Sequence, residues 1–394
     1  MASGDQTSSR LRPRLREDEE ERVTPLELFF DLVFVLAITQ CTALMSHDPS
    51  WSGLAQGLLV LGMLWWAWVG YAWLTSVIDP EEGAVRLIMF GAMAALLIVA
   101  VCVPKAFGAL ALTFAIVYGL VRVAQIWLFI LASPDDDALR HSVLGLAVST
   151  AIAVSLLASA SLFDGLAQGS IWALALFLDL FGPYLIPPEG WRLHPEHFAE
   201  RHGLIVIIAL GESIVAIGVG AAGNLSFGIG AAAVLGVALT AAMWWIYFDV
   251  VALISGKRLA AAEPGYVQNT MARDSYSYLH LPMVAGIVLV ALGLKTIIGH
   301  FDDHLDTVPA AALLGGLAIY LLGLAAFRWR QVHTLNRRRL MLAIVLLILI
   351  PVATEIPAIA ALAIADVLIW ALIVIETRGY GEGRARLRRP DAAA

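Results

Sequence analysis

The sequence predicts an all-α integral membrane protein of about twelve transmembrane helices, arranged as a tandem, parallel six-helix pseudo-repeat. Three observations predict it. Of 394 residues, 60% are hydrophobic and only 14% charged, and the apolar residues come in blocks of about twenty, the length that crosses a hydrocarbon core. Basic residues fall on alternate sides of those blocks. Rare residue pairs also recur at one fixed offset in the two halves of the chain.

Hydropathy places spans at 26–46, 53–77, 84–103, 107–131, 142–163, 167–186, 203–222, 228–254, 278–298, 309–328, 339–354 and 357–376. The eleventh has the weakest pattern, because Pro351, Glu355 and Pro357 interrupt it. Residues 1–25 mix Arg10, Arg12, Arg14 and Arg16 with the acidic run Glu17–Glu21 and lack the apolar core of a cleaved leader, so a solvated, disordered cytoplasmic tail is expected there. A first repeat over 26–186, a cytoplasmic connector over 187–202, a second repeat over 203–376 and a cytoplasmic tail over 377–394 complete the expected organisation.

An even number of spans puts both termini on one side, and the basic residues test this independently. With the termini inside, Arg86, Arg140, Arg192, Arg201, Lys257, Arg258, Arg273 and Arg328–Arg339 join the arginines of the two tails, so that 22 of the 25 Lys and Arg are internal. Lys105 and Lys295 remain outside and Arg122 lies within a span. So lopsided a partition predicts a multi-pass protein of the cytoplasmic membrane with N- and C-termini inside.

The repeat is read from Glu21-Arg22 and Glu200-Arg201 and from Trp65-Trp66 and Trp244-Trp245, each pair separated by 179 residues, with Gly57 and Gly236 at the same offset. The ALFLD ending at Asp179 is echoed by LAIAD ending at Asp366. Six is even, so two such units run parallel, and sites in folds of this kind tend to lie between halves.

Acidic residues at membrane depth carry the functional signal. Glu27 and Asp31, four apart in TPLELFFDLVFVLAITQ (residues 24–40), share a helix face. Asp179 and Asp249 lie about two turns or less from the inner ends of the sixth and eighth spans, and Glu212 and Asp366 nearer the midplane. A charge in hydrocarbon costs at least about 2.5 kcal/mol, so such groups are expected to be protonated, paired with arginines, or holding a cation. The bland reading of Glu27 is a helix cap after Thr24-Pro25; that of Asp31, Glu212, Asp179, Asp249 and Asp366 is a structural ion pair or hydrogen-bonded core acid. Arg201, eleven residues before Glu212, falls near the same helical face.

The segment HPEHFAERH gathers His194, His197 and His202 with Glu196 and Glu200. They are the candidate metal ligands, although the spacing matches no established helical zinc motif. Cys41 and Cys102 sit in apolar spans as packing residues. The tryptophans around Trp65 and Trp244 suit helix packing, interface anchoring or a cation-lined path. Nucleic-acid binding has no support, since no basic stripe interleaved with aromatics appears, and no motif demands a cofactor.

Two segments, TPLELFFDLVFVLAITQ and HFAERHGLIVIIALGESIVAIG (residues 197–218), strongly resemble the signatures of the bacterial low temperature requirement protein A family, and the likeness extends over roughly residues 22–376. The resemblance implies a polytopic inner-membrane protein linked to growth in the cold and supplies no reaction or substrate. It marks Glu27, Asp31, Glu200, Arg201, His202, Gly211, Glu212 and Ser213 without assigning them roles. Arg22 with Phe30-Asp31 nine residues on is also similar to the arginine and phenylalanine-serine-aspartate motif of potassium channels built from six-helix units, with Phe30 at the serine position.

The leading expectation is a transporter or channel for protons, a cation or a cation-coupled small solute, centred on Asp31 and Glu212, with Glu27, Asp179, Arg201, His202 and Asp249 along the inner route. The alternatives are an intramembrane lipid-modifying enzyme using the inner-rim acids and histidines, and a non-catalytic membrane protein supporting low-temperature or stress growth. Lipid is the one partner common to all three, and each is compatible with an oligomer.

Overall fold

A computed structural model describes residues 22–132, 137–185, 191, 193–221 and 226–388, with side chains outside 250 and 379–388. The tail expected over 1–25 therefore lies outside the described residues up to 21.

The chain is helical, with one isolated bridge between His304 and Pro357 and no strand among the described residues. In order come α1 (Pro25–His47), α2 (Trp51–Thr75), α3 (Gly83–Cys102), α4 (Ala111–Ala132), α5 (Asp137–Ala160), α6 (Gly165–Leu185), α7 (Pro195–Gly220), α8 (Phe227–Ala260), α9 (Tyr266–Gly299), α10 (Thr307–Val332), α11 (Arg337–Ala353) and α12 (Ala358–Arg388). Among the described residues, 11 of these are long and apolar enough to cross a membrane; α11, with 17 residues, is the short one. It is also the span in which the sequence places its interruptions.

Polar ends explain where hydropathy misplaces the boundaries. α7 starts at Pro195 rather than near 203, so the second part of the expected connector is helix, with Pro195 at its first position, where no N–H is missed. α8 runs to Ala260 and α9 starts at Tyr266, each through polar turns with π-helical segments at Tyr247–Val251 and Ala272–Tyr278. α12 continues to Arg388, into the expected C-terminal tail.

The described residues divide into two compact units, one within 1–44, 52–201 and 262–273, the other within 45–51, 202–261 and 274–394. Within the first, α3 packs on α4, α4 on α5 and α5 on α6; within the second, α9 packs on α10, α10 on α11, and α8 on α12. Tyr118 of α4 donates to the Met63 carbonyl of α2 at 3.2 Å, and in the second unit Tyr320 of α10 donates to the Met243 carbonyl of α8 at 2.8 Å. Exposure runs opposite to that of a water-soluble bundle. On α1, Leu28, Phe29 and Leu32 are exposed while Glu27 and Asp31 are buried, as expected where the surroundings are hydrocarbon and polar groups must find partners inside.

Candidate functional site

Thr24 and Pro25 start α1. Thr24 accepts from the Glu27 amide at 3.3 Å, and its own amide and hydroxyl donate to Glu27 Oε2 at 2.9 and 3.1 Å. This reciprocal capping box fixes Glu27 as the third helical residue. Asp31 lies one turn further along the same face, and α2 and α7 supply the rest of the site.

Arg201 Nη2 donates to Asp31 Oδ1 at 2.6 Å, and its Nη1 donates to Thr75 Oγ1 at 2.7 Å while lying 3.5 Å from Glu27 Oε1. Trp68 Nε1 donates to the same Asp31 oxygen at 2.8 Å, and the guanidinium carbon sits 5.5 Å from the Trp68 ring centroid. His197, one turn before Arg201, places Nε2 3.0 Å from each Glu27 carboxylate oxygen, and its Nδ1 lies 3.4 Å from Ser76 Oγ. Glu27, Asp31, His197 and Arg201 are at most 1% exposed. A sequence separation of 170 joins Arg201 to Asp31.

This arrangement can hold a proton. Two carboxylates face one guanidinium, so with His197 neutral the four groups carry one net negative charge, and with His197 protonated they balance. A carboxylate only accepts, so Nε2 carries a hydrogen and Nδ1 is the free position of neutral His197. Ser76 then donates to Nδ1; on protonation the hydroxyl rotates to accept instead. The proton is gained without loss of a hydrogen bond.

The other predicted residues occupy separate surroundings. Asp179 of α6 accepts from Thr150 Oγ1 at 3.1 Å and pairs with Arg122 of α4 at 3.4 Å. Asp366 is 5% exposed, and neither carboxylate oxygen has a hydrogen-bond partner among the described residues. Asp179→Leu should therefore lower stability by about 3 kcal/mol by stranding Arg122, while Asp366→Leu should raise it by about 1–3 kcal/mol by removing an unsatisfied group; thermal unfolding of detergent-solubilised protein reads both. Glu212 is buried in the second unit, on α7, and Asp249 lines a cavity of that unit.

The histidines do not gather. His197 and His202 are five residues apart, about 140° around a helix, so His197 meets Glu27 while the His202 ring lies 5.2 Å from the rings of Tyr276 and His280. Among the described residues no group of three His, Cys, Asp or Glu is placed to hold a metal. His280 is a residue that sequence reasoning missed. Its Nδ1 faces the Ser275 carbonyl at 3.1 Å, which fixes the hydrogen there, so Nε2 accepts from the Tyr247 hydroxyl at 2.8 Å. The sole sequence signal was a histidine at the head of an apolar run.

The family model for the bacterial low temperature requirement A protein (LtrA) matches residues 22–374. The chain belongs to the LtrA family. It is 32% identical over 324 residues to an uncharacterized protein of Rhizobium meliloti (strain 1021), an alignment covering 79% of this chain and 78% of that protein. No solved structure matches. The two segments that carried the LtrA resemblance supply the ionisable members of the buried network, Glu27 and Asp31 from the first and His197 and Arg201 from the second.

Proposed function

We propose that this LtrA-family protein is a transporter or channel of the cytoplasmic membrane that moves protons or a cation, alone or coupled to a small solute. Glu27, Asp31, His197 and Arg201 are its ion-handling centre, both termini are inside, and the two halves are copies of one six-helix module. The observation that carries the reading is the buried excess of two carboxylates over one guanidinium, with an imidazole on the first carboxylate. Intramembrane ionisable groups of this kind mark ion and proton paths. The paired tyrosine bonds to Met63 and Met243 support the duplication, since those methionines stand 180 residues apart and Trp65 and Trp244 follow them closely.

Full burial of the network favours a second reading, a membrane protein that supports growth in the cold through partners, with the ion pairs only holding helices together. Reconstitution separates them. In proteoliposomes carrying an internal pH dye and a cation gradient, the native chain should show flux, and His197→Gln and Asp31→Asn, folded by size exclusion, should abolish it. Equal flux in native and variant vesicles removes these groups from the mechanism; its absence with the native chain favours the second reading.

A further inference from the structure

The second unit contains a partly open cavity of about 480 Å³, within the range of small-molecule sites. Its lining surface is mostly apolar, with Trp245, Ile254 and Ile373 among the contributors, and the charged residues along it are Lys257, Arg258, Arg328 and Arg339 with Asp249 and Glu376. The second acid is already taken. Arg339 grips Glu376 through two parallel bonds of 3.0 and 2.8 Å, and Asn336 Nδ2 donates to the same carboxylate at 2.6 Å.

Lys257, Arg258 and Arg328 also line the cavity, and Arg328 is near enough to Glu376 to act on its carboxylate electrostatically. Arg258 donates to the Gln331 carbonyl at 3.4 Å, and Arg328 donates through Nε to Thr334 Oγ1 at 3.3 Å. Both acceptors are neutral, and among the described residues none of Lys257, Arg258 and Arg328 forms an ion pair. Gln331, 4% exposed, lines the cavity with its amide nitrogen and oxygen unpartnered among the described residues, and Arg339 Nη1 is likewise unpartnered. A π-helical turn, Tyr247–Val251, forms one side and carries Asp249, the kind of helix defect that recurs at functional sites.

We infer that this cavity binds an amphiphile bearing an anionic phosphate head, the head held by Arg258, Arg328 and Lys257 and the apolar body lying along Trp245, Ile254 and Ile373. Guanidinium groups suit a phosphate through charge-assisted, forked hydrogen bonds, and basic pockets between transmembrane helices take anionic headgroups. The chemistry fits a membrane lipid or a soluble alkyl phosphate. The inference is independent of the transport reading.

The test is binding of dioctanoyl phosphatidylglycerol, dioctanoyl phosphatidylcholine and hexyl phosphate to the full chain in a neutral detergent, followed by native mass spectrometry. Phosphatidylglycerol should bind at least about tenfold more tightly than phosphatidylcholine, and the Arg258→Gln/Arg328→Gln variant should lose that margin. Weak hexyl phosphate binding identifies a lipid source, and hexyl phosphate binding as tight as phosphatidylglycerol a soluble one; either supports the site when lost in the variant. Ile254→Trp fills the cavity with the charges intact and should abolish binding in protein that remains monodisperse. Equal binding of the two lipids, no binding of either anion, or binding unchanged in Ile254→Trp overturns the inference.

Discussion

Arg201→Leu should be among the most damaging single changes in this chain, lowering stability by about 3–5 kcal/mol. The guanidinium is fully buried and serves Asp31, Glu27 and Thr75 together. Its removal leaves two carboxylates in a low-dielectric interior without their guanidinium, with Trp68, His197 and Thr24 among the groups still bonding them. Burying an ion pair is itself expensive, so the penalty comes from stranding the acids rather than from losing a net attraction. Arg201→Lys keeps the charge but cannot span Asp31 and Thr75 with a planar fork, so it should recover part of the loss. Thermal unfolding in detergent, followed by fluorescence-detected size exclusion, should rank the proteins native, Arg201→Lys, Arg201→Leu. Full stability in Arg201→Leu would show that the acids are not held as described.

The second large effect concerns the contact of α9 with α10 in the second unit. A Cβ on Gly286 would meet the Gly316 carbonyl oxygen at 2.6 Å and the Tyr320 nitrogen at 2.8 Å; one on Gly316 would meet the Gly286 carbonyl oxygen at 2.8 Å and the Val290 nitrogen at 3.0 Å. These are backbone atoms of packed helices and cannot turn aside as a flexible side chain would. Small residues at such crossings let transmembrane helices approach closely. Gly286→Ala or Gly316→Ala should each cost about 1–3 kcal/mol or more, and Val at either site should prevent the unit from assembling. Gly211 is the contrast. A Cβ there meets nothing within 4 Å, and Gly211→Ala should be neutral or stabilising by up to about 1 kcal/mol, from helix propensity. The same unfolding measurement reads all three.

The helices were legible because hydrocarbon imposes length and apolarity together, and the two acids of α1 because a four-residue spacing fixes their common face. Their partner was not. Helical phase drew Arg201 toward Glu212 on its own helix, whereas its guanidinium binds Asp31 from a different helix. Nothing in a local pattern encodes a pairing across 170 residues. Glu27 turned out to satisfy two readings at once, since the carboxylate that caps α1 through Thr24 also receives His197. Hydropathy cut α7 and α9 short because it scores His197, Arg201, Asn269 and Arg273 as loop, although helical backbone tolerates polar residues where they find partners: Asn269 donates to the Trp191 carbonyl at 2.8 Å and Arg273 to the Pro183 carbonyl at 3.2 Å. The basic cavity was hidden for a different reason. Lys257, Arg258 and Arg328 entered the sequence argument only as markers of sidedness, and a count of charges by loop does not show that two loops converge on one hollow.

Flux through the double variant Asp31→Asn/Arg201→Gln is the decisive measurement, because the Asp31–Arg201 pair leaves together while Glu27 keeps His197 and Thr24 as hydrogen-bond partners. That variant should be folded and monodisperse, with Glu27 still bonded to His197, and should pass no protons or cations in vesicles where the native chain does. Native rates in that variant would contradict the transport reading and leave the network a structural fastening alone.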